Sequence, residues 1–136
     1  DVIAALENGV SAIALNENGQ VERDGASGRF PQVSGIRFSY DPNLEAGSRI
    51  VSVELLGEDG EFTPLDPAAT YTLVSNDFMR RGGDSYTVFA ENAINPYDFG
   101  RPLNDVLVDY LVANSPITAE PEGRITTVNA EVEPRE

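Results

Sequence analysis

Apolar positions along this chain recur with two different periods, and the changes between them mark out its elements. In "DVIAALENGVSAI", Val2, Ile3, Leu6, Val10 and Ile13 fall at helical spacing, which predicts an opening helix with Gly9 as its stop. "ALNENGQVERDGASG" is polar and glycine-rich, so a solvated surface loop is expected. Its acids and amides lack the alternate spacing and final Glu of a loop calcium site.

A period of two follows. Ile36, Phe38 and Tyr40 alternate with Arg37 and Ser39, predicting a half-buried strand that ends at Asp41-Pro42. In "RIVSVELLGEDGEF", Val51, Val53 and Leu55 share one face, Ser52 and Glu54 the other, and "EDG" signals a hairpin turn. After the "DPA" turn, a third strand is expected through Tyr71, Leu73 and Ser75.

The helical period then returns. "TVFAENAI" reads as a short helix capped by Asp84 or Ser85. "RPLNDVLVDYLVAN" is the strongest helix signal, with Pro102 at its first turn and Leu103, Val106, Leu107, Tyr110 and Leu111 in one stripe. "EGRITTV" predicts a last short strand. Strands in the middle and helices towards the ends predict an α+β domain with a mixed or antiparallel sheet flanked by helices. The domain is expected to span 1–129, its start truncated within a helix as in a fragment of a longer polypeptide, with 130–136 as a charged tail that frays.

Charge narrows the partners. Nine basic residues against 23 acidic ones give a formal charge of -14, which repels nucleic acid and an anionic membrane surface, so neither is expected as a partner. No stretch approaches the roughly 18 apolar residues that a membrane helix needs. All the basic residues are Arg, and an acidic surface without Lys suits a salty or extracytoplasmic setting.

The missing residue types matter more. With no His and no Cys, a Ser-His-Asp triad or a His-rich dimetal centre cannot be completed within these residues. No catalytic residue is therefore assigned to this chain. Any reacting centre of a parent enzyme is expected elsewhere.

Two aromatics remain as candidates for binding. Phe30 stands in "SGRFPQVSG" and Tyr86 in "GGDSY", each on a loop beside glycine. Rings on such loops offer faces for a planar heterocycle, and stacking is worth about 1–3 kcal/mol per base. Gln32, Asn76, Gly83 and Asp84 lie close in sequence, and the polar side chains among them suit the edges of a ligand. The plainer alternative makes both rings edge-of-core residues whose glycines serve only the turn. Arg80 and Arg81 either steer an anion or pair with Asp77 and Asp84; pairing is the expectation.

The stretches "ALENGVS", "GRFPQVSGIRFSYDPN", "RIVSVEL", "YTLVSNDFMRRGGDSYTVF", "PLNDVLVDYL" and "EGRI", in this order, resemble the C-terminal domain of the 5'-nucleotidase and UDP-sugar hydrolase family. The resemblance implies a substrate-specificity domain covalently linked to an N-terminal metallophosphoesterase domain that carries two divalent metal ions, in a periplasmic or extracellular protein. It implies that a nucleotide or nucleoside is the ligand, its base held between Phe30 and Tyr86, with the glycines swinging the second ring into place. Ser85 stands where the family usually has Gly, and the acid expected to bind the sugar falls at Glu91 or Asn92. Relatives of the same architecture acting on 2',3'-cyclic nucleotides, UDP-sugars or sulfur compounds stand as alternatives, as does a non-catalytic binding module.

Overall fold

The structure is a computed structural model that describes residues 1–22 and 27–134, so part of the expected loop (23–26) and the last two residues lie outside the described residues. The elements are α1 (Val2–Val10), β1 (Ile36–Tyr40), β2 (Ile50–Leu56), β3 (Phe62–Pro64), α2 (Asp77–Arg80), a 3₁₀ turn at Gly83–Ser85, α3 (Thr87–Glu91), α4 (Leu103–Asn114) and β4 (Ile125–Thr127). The sheet runs β3-β2-β1-β4, antiparallel except for the parallel pair β1 and β4. This is the expected α+β architecture with a mixed sheet.

The core forms where α1 lies on the sheet. Leu6, Val10 and Ile13 meet Phe38, Tyr40 and Val53, joined by Val21. Burying such side chains contributes about 1.5–3 kcal/mol each, so this cluster dominates the stability of the fold. Two polar clamps fix the helix against β2. The Glu7 carboxylate accepts from the backbone N–H of Arg49 at 2.9 Å and of Ile50 at 2.7 Å. The Arg49 guanidinium donates to the carbonyl of Val10 at 2.7 Å, the last residue of α1, and to that of Ile13 at 2.9 Å in the turn that follows.

The opening helix does not stop at Gly9, which is a buried helical residue. The expected face of β2 also shifts. Register steps from Ser39 opposite Ser52 to Tyr40 opposite Ile50, so Val51 is the extra residue of a bulge and is 55% exposed, while Ile50 turns towards the core. The expected "EDG" hairpin is present: Gly57 N–H donates to the Glu61 carbonyl at 2.8 Å, and Gly60 takes φ +84°.

Residues 71–75 are not a strand; the third strand is β3 instead. Alternation can propose a strand, but only a neighbour's ladder can make one. The loop after α1 is anchored rather than wholly solvated, since Leu15 and Val21 bridge and Val21 is buried. The expected tail is held too: Val21 N–H donates to the Glu131 carbonyl at 2.8 Å and Glu133 N–H to the Val21 carbonyl at 3.1 Å. Those bonds keep 130–133 from fraying. Helix α4 forms as predicted, yet its residues are exposed throughout.

Candidate functional site

The C-terminal end of α1 is the place where the two glycine-bearing loops meet. A Cβ on Gly9 would stand 2.6 Å from Pro31 Cδ and 3.0 Å from Tyr86 Oη. Only glycine therefore lets both loops come this close to the helix. One residue earlier, Asn8 Nδ2 donates to the Asp84 carbonyl at 3.0 Å.

The first loop turns at Ser27, whose carbonyl accepts from Phe30 N–H at 2.9 Å, and Arg29 Nη1 reaches Ser11 Oγ at 3.2 Å. Phe30 is half-buried, and its ring meets Tyr40 edge to face with centroids 6.3 Å apart. Gln32 is exposed. Arg124 Nη1 donates to the Val33 carbonyl and ties the loop's far end to β4. Phe30 and Gln32 also line a cavity of about 710 Å³ beside segment 119–125, which neither Phe78 nor Tyr86 reaches.

The second loop begins at α2, where Asn76 Oδ1 accepts from Met79 N–H at 2.8 Å and caps the helix. Gly82 has φ +89°. Gly83 has another reason to be glycine: a Cβ there would stand 2.5 Å from Phe78 Cδ1, so the Phe78 ring lies directly across its backbone. Asp84 is exposed, with φ +51°, and its Oδ2 comes within 3.5 Å of the position a Gly28 Cβ would take. That brings an acid from the second loop beside the first.

Tyr86 differs from the expectation of a free ring face. It is 2% exposed, stacks on Phe89 at 5.3 Å with 15° between planes, and donates from Oη to the Arg29 carbonyl at 2.6 Å. Burial of a large ring is favourable, and its hydroxyl then needs a partner, which the first loop supplies. Burial, with the nearby Asp84 charge, pushes the Tyr86 hydroxyl up to about 12, and Arg29 offsets part of this. The helix cap expected from Asp84 or Ser85 is also taken by Tyr86: it is the N-cap of α3, with no side-chain cap bond.

Phe78 is the ring that sequence reasoning passed over. It is 58% exposed and held in place by its contact with Gly83. The signal was present in "NDFMRRGGD": an aromatic one helical turn before a glycine pair. Arg80 pairs with neither Asp77 nor Asp84; its Nη1 donates to the Phe89 carbonyl at 2.8 Å and its Nε lies 3.3 Å from Asp98. Asn92 Nδ2 is engaged by Asp1 at 2.8 Å, and Glu91 is exposed.

Among the described residues no cluster of donors is placed to hold a metal ion. The chain has no His and no Cys, and no three of its described carboxylates gather in one place.

Comparison with known proteins gives the family. Residues 1–91 match the family described as the 5'-nucleotidase C-terminal domain. An apyrase of Tabanus yao is 39% identical over 100 residues, covering 71% of this chain and 18% of the apyrase. The trifunctional nucleotide phosphoesterase protein YfkN of Bacillus subtilis is 32% identical over 125 residues, covering 91% of this chain and 8% of that protein. The crystal structure of a 5'-nucleotidase precursor from Thermus thermophilus superposes with a TM-score of 0.81 at 41% identity, covering 98% of this chain and 24% of that one. A Haemophilus influenzae NAD nucleotidase shares the fold, with a TM-score of 0.62 at 19% identity. The chain thus spans less than a quarter of the length of these relatives, and it belongs to the 5'-nucleotidase C-terminal domain family.

Proposed function

We propose that this chain supplies nucleotide recognition to a 5'-nucleotidase-type hydrolase, stacking the base between rings on its two glycine-bearing loops while a linked N-terminal metallophosphoesterase domain performs the hydrolysis. Phe30 is the ring of the first loop. Phe78, held across Gly83, is the ring of the second. The observation that carries this is the Phe78 ring laid across Gly83 and still 58% exposed: an apolar face held rigid at the surface is ready for a planar partner.

The polar neighbours suit the rest of a nucleoside. Asp84, beside Gly28, accepts from sugar hydroxyls, and the exposed Gln32 amide both donates and accepts at a base edge. Asn76 acts indirectly, by capping the helix that carries Phe78. With a formal charge of -14, the chain does not attract the phosphate end of a nucleotide, so gripping the base and sugar leaves that end for the neighbouring domain. The same acidic, Lys-free surface supports an extracytoplasmic setting.

In the complete polypeptide, Phe30→Ala and Phe78→Ala each raise KM for AMP by about 5- to 100-fold, the value of one lost stack. An unchanged KM in both variants would overturn the reading.

A further inference from the structure

Every residue from 90 to 123 is exposed, and α4 lies within that stretch. The helix is apolar on two sides. Leu103, Val106, Leu107, Tyr110 and Leu111 form its stripe, while Val108 and Val112 project from the opposite side, Val112 with 79% exposure. Twelve residues make a helix that is marginal on its own in water, and one apolar on two sides belongs in an interior. Charges beside it are already paired: Arg101 with Asp109 at 2.6 Å, and Asp98 with Arg80 at 3.3 Å. Residues 71–75 lack cover in the same way. Val74 is 94% exposed, and among the described residues no backbone N–H or C=O of 71–75 is hydrogen-bonded. An unpaired stretch of this kind is a template for a neighbouring strand.

We propose that α4 and 71–75 are interior elements of a larger unit, covered by the segment that directly precedes Asp1 in the complete polypeptide. An apolar face of that segment packs on α4, and a strand of it pairs with 71–75. Asp1 Oδ1 accepts from Asn92 Nδ2 at 2.8 Å, so the chain leading into α1 arrives beside the start of the exposed stretch. The Thermus thermophilus chain superposes on 98% of this one, so α4 recurs there, and only 24% of that chain is covered. Ample polypeptide is thus present to bury the helix. A second copy is a poorer occupant, because a formal charge of -14 opposes self-association. The distant metallophosphoesterase domain is poorer too, since interfaces between domains are more polar than this helix and do not enclose two of its sides.

The test uses the complete polypeptide in two forms. Amide hydrogen exchange across 71–75 and 103–114 is measured in the unaltered protein, together with its sedimentation. The Val112→Cys variant, with thiols elsewhere in the polypeptide replaced by Ser, is labelled with a thiol-reactive photocrosslinker; the chain described here supplies no other Cys. Both segments are expected to exchange about a hundredfold more slowly than an unstructured peptide, in a protein that sediments as a monomer. The crosslinked peptide is expected within roughly 100 residues before Asp1, the number that a domain of at most about 250 residues leaves beside these 136. Rapid exchange in either segment overturns the proposal, whatever the variant does. A crosslink to a second copy, to residues farther upstream or to chain beyond residue 136 overturns it as well.

Discussion

The Arg49 guanidinium closes the end of α1 by donating to the Val10 carbonyl at 2.7 Å, with the same nitrogen 2.9 Å from the Ile13 carbonyl. One side chain on the approach to β2 thus ties the end of α1 and the turn after it to the sheet. Arg49→Ala is expected to destabilise the domain by about 2–3 kcal/mol, read as a lowered denaturant midpoint, because it removes charge-assisted bonds from partly buried carbonyls. Arg49→Lys recovers only part of this, since a single ammonium cannot also reproduce the Nε bond to the Leu44 carbonyl at 2.9 Å.

Asp41 gives the fold an acid limit. Its carboxylate accepts from Asn129 Nδ2 at 2.7 Å and from Asn43 N–H and Nδ2, each at 2.9 Å, joining the end of β1 to the turn after β4. These bonds, that from Asn129 first, hold the carboxyl below its ordinary value of 3.8. A folded value below the unfolded one means that the stabilisation is complete above the ordinary carboxylate range and disappears as pH falls through the depressed value. Stability measured against pH should therefore decline below about 4, and Asp41→Asn should flatten that limb while lowering stability at neutral pH.

Tyr86 sets the corresponding alkaline limit. Its hydroxyl is raised from 10.0 to about 12, chiefly by burial. The sign is opposite to that of Asp41: the contribution is present in full below the unfolded value and is lost as pH rises between the two. Absorbance titration should show Tyr86 ionising after the exposed tyrosines, together with buried Tyr40, whose hydroxyl burial also raises, and unfolding setting in over the same interval. Tyr86→Phe should remove the Tyr86 share of that late ionisation and of the stability loss coupled to it, leaving the Tyr40 share.

Gly83→Ala tests whether the Phe78 ring is held as described. A Cβ there meets the ring at 2.5 Å, so the ring must leave. Phe78 is exposed, so the cost in stability should be small, about 1 kcal/mol or less. KM for AMP should nevertheless rise towards that of Phe78→Ala. An alanine variant with wild-type KM would show that the ring's position is irrelevant to the ligand.

Much of the fold was legible because it follows from period and punctuation. The alternation of Ile36, Phe38 and Tyr40 gave β1, the "EDG" turn gave the hairpin, and the stripe from Leu103 to Leu111 gave α4. The candidate site was legible only as two loops. Phe30 and Tyr86 stand in similar glycine-rich settings in sequence, yet one ring is half-buried and the other lies within the protein with its hydroxyl on Arg29. Linear spacing carries no information about which ring a helix end covers.

By itself, the sequence determined the α+β class, the two glycine-bearing loops, and, with no His or Cys, that a His-rich dimetal centre cannot be completed within this chain. These depend on residue type and local period, which need no partner. Only the tertiary structure decided that Gly9 is a contact point and not a helix stop, that 71–75 remains unpaired, and that Phe78 rather than Tyr86 shows its face. Each of those depends on a neighbour distant in sequence, whose approach at 2.6 Å or whose missing strand edge is a property of packing alone.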